Sequence, residues 1–93
     1  MTREELIDFF ELHGWGVKLE RYDCLYMSST NTLREDNTGV KYEARIKERM
    51  FSIHENRTGT KIFRARIGKK LNAKIIPGHG VFIHHDDIYF KLL

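Results

Sequence analysis

Cysteine and proline are scarce in this sequence, with one residue of each among 93. Because Cys24 has no second cysteine to pair with, the class of small domains held together by internal disulfides is excluded. A lone thiol is typical of a reducing compartment, so we expect a cytoplasmic protein. The near absence of proline and of low-complexity tracts argues against a disordered chain.

Long apolar runs are missing as well. No stretch approaches the roughly 20 apolar residues that span a bilayer, and residues 1–15 lack the features of a secretory signal peptide. We therefore expect no membrane contact. What is present is an ordinary globular balance, 41% hydrophobic and 31% charged, in a length that predicts a single domain over residues 1–93.

A helix is predicted over residues 2–13. Thr2 and Glu5 have the spacing of a capping box, in which each side chain bonds to the other residue's backbone N–H. Gly14 then supplies the left-handed residue that commonly ends a helix. The face that recurs at helical spacing is formed by Leu6, Phe9, Phe10 and His13.

Short antiparallel strands are predicted after the helix, with a turn or bulge near Tyr22 and Asp23. Residues 40–47 show the cleanest alternation of apolar and charged side chains. The phase of that alternation is reversed at Phe51, which requires either a bulge or a break at residues 47–49.

The second half of the chain predicts two hairpins and a loop. Residues 68–80 predict a loop with a short edge strand, and a final hairpin is predicted to turn through residues 85–87. The polar segment 28–39 is long for a connection, which indicates a mobile or functional loop. The fold class is therefore α+β, with the N-terminal helix packed on a small, strongly bent antiparallel sheet of about five to six short strands.

The hairpin around Gly59 can be placed by register. A loop of residues 57–59 puts Gly59 at a left-handed position and sets Ile53 opposite Phe63 on the apolar face. In this register His54 lies on the exposed face. The alternative is a helix through Phe63, Ile67 and Leu71, with Gly68 as its weak point.

Charge is distributed unevenly, because no acidic residue occurs between Glu55 and Asp86. The rest of the chain has a net charge of −4, whereas this stretch has +7. Such a cluster could follow a phosphate backbone, with Phe63 and Tyr89 as candidates for base stacking, although Phe63 is expected to belong to the core. It could equally be a solvated strand face or attract an acidic protein surface. The predicted binding residues are Arg57, Lys61, Arg64, Arg66, Lys69, Lys70 and Lys74.

No motif of high specificity for a metal, a cofactor or catalysis occurs. Five potential metal ligands lie close together near the end of the chain, but neighbouring residues of a strand point to opposite faces, so we expect no metal site and no cofactor. They are His79, His84, His85, Asp86 and Asp87. Cys24 lies in an apolar strand and is expected to be an inert core thiol. His54 beside Arg64 and Arg66 could in principle support ribonuclease chemistry.

The stretch from Glu4 to Trp15, EELIDFFELHGW, resembles the opening of the HicA-type toxin family. Members of that family are small basic ribonucleases with a fold like that of double-stranded-RNA-binding domains. The resemblance implies a catalytic His within a Gly-Ser-His stretch of the following strand. The matching residues 22–26 contain no His, and the end of this chain predicts strands where the family has a helix. No catalytic residue is therefore carried over.

These observations predict a small non-catalytic domain that binds nucleic acid or a nucleoprotein through the basic segment 57–74. The first alternative is a protein-binding inhibitor or regulator of a larger enzyme, of the kind found in phages and mobile elements, which could compete for a nucleic-acid site. A small ribonuclease-like enzyme is the third. An open sheet edge leaves both a monomer and a homodimer possible.

Overall fold

The structure, a computed structural model, describes residues 1–29 and 42–92. Most of the predicted 28–39 loop lies outside these residues. The described chain forms one helix and eight strands. They are α1 (Arg3–Leu12), β1 (Trp15–Arg21), β2 (Cys24–Ser29), β3 (Tyr42–Lys47), β4 (Met50–Glu55), β5 (Lys61–Arg66), β6 (Leu71–Ile76), β7 (Gly80–His85) and β8 (Ile88–Lys91).

The helix begins and ends as the sequence predicts. The Glu5 backbone N–H donates to the Thr2 hydroxyl oxygen at 3.2 Å, and the Thr2 N–H donates to the Glu5 carboxylate at 3.0 Å. This capping box lowers the pKa of Glu5, because both the backbone and the side chain of Thr2 hydrogen-bond to its carboxylate. Gly14 has a φ of 85°, the left-handed conformation expected of the residue that follows the helix.

The first five strands form an antiparallel sheet in the order β1-β2-β3-β4-β5. Tyr22 and Asp23, both with positive φ, make the turn between β1 and β2. Glu48 and Arg49 make the turn between β3 and β4, where Lys47 pairs with Met50. The reversal of the alternation therefore marks the end of β3 and the start of β4 at a two-residue turn. The two strands pair without a bulge.

The β4–β5 hairpin has the predicted core register. Ile53 lies opposite Phe63, and Gly59 has a φ of 74°. The register then shifts between Ile53 and His54, so that Lys61 lies opposite His54. The alternative helix through Phe63, Ile67 and Leu71 does not form, because Phe63 belongs to β5 and Leu71 begins β6.

The last three strands form a second antiparallel sheet in the order β6-β7-β8. The prediction for residues 68–80 is partly wrong. Residues 71–76 form a six-residue strand, whereas the sequence predicts a loop with a short edge strand there. The final turn also differs: His85 pairs with Ile88, so the turn consists of Asp86 and Asp87. The α+β class is confirmed, but the eight strands belong to two sheets instead of five to six strands in one.

Both the helix and the three-stranded sheet pack against one face of the five-stranded sheet. Phe10 of α1 lies 5.4 Å from Phe51 of β4, measured between ring centroids. Phe90 of β8 lies 5.2 Å from Tyr42 and 6.4 Å from Phe63 by the same measure. Each sheet therefore has an inner face in the shared core and an outer face directed away from it.

Candidate nucleic-acid interface

The outer face of the five-stranded sheet carries cations from β3 and β5, the two strands that flank β4. Cross-strand pairing aligns Arg64 with Ser52 and Ser52 with Arg45, and it aligns Arg66 with Met50 and Met50 with Lys47. Because alternate residues of a strand share a face, these side chains lie opposite the buried ones. We call this surface the cationic face, defined by Arg45, Lys47, Arg64 and Arg66.

Arg45 is held in place by two neighbours on this face. Its Nε donates to the Glu43 carboxylate at 2.8 Å, and its guanidinium carbon lies 5.4 Å from the centre of the Tyr26 ring. The pKa of Tyr26 is raised, chiefly by a hydrogen bond with the Cys24 side chain, so the phenol keeps its proton. Among the described strand residues, Glu43 is the one acid on this face, and its charge is matched by Arg45.

All seven predicted binding residues are exposed, but the structure divides them among four places. Arg57 lies in the β4–β5 loop, and β5 carries three of the others. Lys69 and Lys70 lie in the connection to the second sheet, and Lys74 lies on the separate outer face of that sheet. Within the described parts of the chain, none of the seven forms an ion pair.

Arg66 also lines a cleft next to the cationic face. The cleft has a volume of about 410 Å³, and the sequence-predicted Lys69 and Lys70 contribute to it together with His85. The N-terminal ammonium of Met1 donates to the Gly68 carbonyl oxygen at 2.7 Å, which holds the backbone of this connection. The lining contains three cations and no acidic residue, and the Asp86 carboxylate lies next to it, 3.6 Å from His85 Nδ1. The excess of positive charge makes the cleft suited to an anion such as phosphate. The lining consists of Arg66, Ile67, Gly68, Lys69, Lys70 and His85.

The prediction that His54 is exposed is wrong, since only 7% of its surface is accessible. Its Nδ1 lies 3.3 Å from the Gly59 carbonyl oxygen and its Nε2 lies 2.9 Å from the Ser52 hydroxyl. A carbonyl oxygen only accepts, so Nδ1 carries the proton and the neutral ring accepts from Ser52 at Nε2. Burial lowers the pKa of His54, and the nearby charges of Arg45 and Lys61 lower it further.

The two stacking candidates of the sequence have different positions. Phe63 is 4% exposed and belongs to the core, whereas Tyr89 is 47% exposed on the outer face of the three-stranded sheet. The residues predicted to bind did not include Arg45 and Lys47, because both lie outside the acid-free stretch between Glu55 and Asp86. Their alternation with apolar residues in 40–47 indicates a shared polar face, but it does not indicate the alignment of that face with β5.

The potential metal ligands near the chain end are separated by the sheet. His84 pairs with Asn72 on the outer face, whereas His85 pairs with Leu71 and lines the cleft. Over residues 1–29 and 42–92, no group of three or more His, Cys, Asp or Glu side chains is arranged to hold a metal ion. The same residues include no helix that is long and apolar enough to cross a membrane.

Comparisons with family models, with curated proteins and with solved structures found no match for this chain.

Proposed function

We propose that this chain is a small non-catalytic domain that binds the backbone of a nucleic acid, alone or within a nucleoprotein. The observation that carries the proposal is the set of seven exposed cations in residues 57–74, none of which has an ion-pair partner among the described residues. Arg66 joins this set to the cationic face and to the cleft. The cationic face adds Arg45 and Lys47, which lie outside the acid-free segment, whereas Lys74 lies on the other sheet.

The chemistry of the surface favours phosphate as its ligand. Each cation that neutralises a phosphate releases condensed counterions, and arginine adds paired hydrogen bonds to phosphate oxygens. Phosphates carry no base identity, so contacts of this kind give affinity with little sequence preference. Arg64 and Arg66 project from the same edge strand, β5, which leaves both guanidinium groups accessible.

Salt dependence tests this proposal directly. A fluorescently labelled oligonucleotide duplex is titrated with the protein between 50 and 200 mM salt, and binding is followed by anisotropy. If about four phosphates are contacted, the affinity should fall roughly a hundredfold over that range. An affinity that is independent of salt, or no binding at 50 mM, would overturn the proposal.

A charge-matched pair of variants locates the surface. Arg64→Glu should weaken binding and reduce the slope of log affinity against log salt by about one. Arg3→Glu makes the same change in net charge at the exposed first residue of α1, which belongs neither to the cationic face nor to the cleft lining, and should leave the slope nearly unchanged. Equal losses in the two variants would show that net charge alone, and not this surface, governs binding.

A protein-binding regulator or inhibitor is the second candidate, and the observation that favours it is Ile62. This side chain is 42% exposed between Lys61 and Phe63 on edge strand β5. Binding to a phosphate backbone does not require an exposed apolar side chain at this position. Ile62→Ser should abolish a complex that survives nuclease treatment, while leaving oligonucleotide affinity intact. If everything that the protein captures in a pull-down were lost on nuclease treatment, this second candidate would be contradicted.

A further inference from the structure

The outer face of the three-stranded sheet carries a cluster of aromatic rings. His84 pairs with Tyr89 across β7 and β8, and their rings are stacked, with centroids 4.7 Å apart and planes 18° apart. Phe82 lies two residues before His84, and its ring centroid is 6.1 Å from that of Tyr89. His84 Nδ1 lies 3.4 Å from the Asp86 carbonyl oxygen, a contact that orients the imidazole.

These rings are not part of the core. Two core side chains of the same sheet, Leu71 and Ile83, are fully buried on the inner face, together with the partly buried Phe90. Tyr89 points the other way and keeps 47% of its surface exposed. Aromatic rings gathered on an outer face indicate a binding surface more often than single exposed rings do.

Two lysines flank the rings. Lys74 of β6 and Lys91 of β8 are the direct cross-strand neighbours of Phe82, one on each side. Both lysines are exposed, and strands β6, β7 and β8 contain no acidic residue. The surface therefore pairs a central ring with positive charge on both sides. We call it the aromatic face, defined by Lys74, Phe82, His84, Tyr89 and Lys91.

We propose that the aromatic face binds unpaired bases of a single-stranded nucleic acid, an inference that rests on the proposed function. The bases stack on Phe82 and Tyr89, while Lys74 and Lys91 contact the adjoining phosphates. Stacking on protein rings requires base faces that a duplex hides, whereas phosphate contacts are available on both forms. The aromatic face therefore gives a preference for single strands, and the cationic face adds affinity for any nucleic acid.

The test compares a labelled oligothymidylate of about 12 nucleotides, within the range covered by single-strand-binding domains, with a duplex of equal length. Tyr89→Leu removes the ring but keeps an apolar side chain, and it should weaken single-strand binding about tenfold. Tyr89→Phe keeps the ring and should retain the affinity of the unsubstituted protein. Neither variant should change duplex binding, and the circular dichroism of both should match the unsubstituted protein.

The outcomes separate this inference from the proposed function. Equal affinity for the two forms, or no loss in Tyr89→Leu, would overturn the aromatic face and assign its rings to another ligand such as a protein. Salt-dependent duplex binding that Arg64→Glu weakens would still stand in that case. Single-strand binding that is lost in Tyr89→Leu and unaffected by Arg64→Glu would support the aromatic face and overturn the cationic one. No binding to either form would overturn both.

Discussion

The cationic face and the aromatic face are both outer faces of antiparallel sheets, but the side chains that define them differ in chemistry. On the five-stranded sheet, each of two cross-strand rows joins two cations through an uncharged side chain, Ser52 or Met50. On the three-stranded sheet, one row joins Phe82 to Lys74 and Lys91, and the next joins the rings of His84 and Tyr89. Charge acts over several ångströms and ignores base identity, whereas a ring acts only in contact.

The contrast shows that a stretch of positive charge in a sequence need not be one surface. Lys74 and Arg64 belong to the same acid-free segment, yet they lie on the outer faces of different sheets. The chain crosses from one sheet to the other at residues 67–70, where the cleft is located. A continuous charge pattern therefore contributes to two surfaces and to the cleft that adjoins one of them.

The strongest test of this division uses the two faces of the second sheet. Ile83 is fully buried on the inner face, so Ile83→Ala should lower the free energy of unfolding by about 2–5 kcal/mol. Tyr89→Leu on the outer face should change it by less than about 1 kcal/mol. Urea denaturation of the two variants measures both effects. A loss in Tyr89→Leu as large as that in Ile83→Ala would make the aromatic face a structural element instead of a binding surface.

A smaller effect is expected from His54, which lies on the outer side of the five-stranded sheet but is buried. Its folded pKa is lowered from the ordinary value of 6.5, so the unfolded chain takes up a proton first as the pH falls. Stability from this group is therefore present above pH 6.5 and is lost as the pH falls toward the folded pKa. The melting temperature, measured across this window, should decrease toward acid.

Two variants isolate that pH dependence. His54→Gln removes the buried imidazole, and its melting temperature should vary less with pH than that of the unsubstituted protein. His79→Gln removes an exposed imidazole from the β6–β7 turn and serves as the matched control. An unchanged pH profile in His54→Gln would show that other groups are responsible.

Local rules in the sequence predicted much of the five-stranded part of the fold. The capping box of Thr2 and Glu5 depends on four neighbouring residues, and the pairing of Ile53 with Phe63 follows from loop length and alternation. The prediction that His54 is exposed fails because alternation alone does not determine burial. Alternation assigns a side chain to a face, but it does not determine whether neighbours such as Ser52 and the Gly59 carbonyl cover it.

The aromatic face could not be predicted from the sequence, because it depends on the exact pairing register of β7 with β8. A three-residue turn at 85–87 would pair His84 with Ile88, whereas the two-residue turn pairs His84 with Tyr89 and Phe82 with Lys91. A slip of one residue changes every cross-strand neighbour. The run from Val81 to Ile83 is also apolar throughout, so it gives no alternation from which an outer face could be identified.

The smallest expected effect compares a turn from each sheet. Tyr22 has a φ of 52° in the β1–β2 turn, and Asp86 has a φ of 51° in the β7–β8 turn. A bulky side chain is disfavoured in this left-handed region, whereas Asn and Asp tolerate it. Tyr22→Asn should therefore raise the free energy of unfolding by about 0.5 kcal/mol, the scale of a surface substitution, and Asp86→Asn should leave it nearly unchanged. Thermal denaturation of both variants measures the difference. A loss of stability in Tyr22→Asn would mean that the contact of Arg21 with the Tyr22 ring, at 4.8 Å, outweighs the backbone preference.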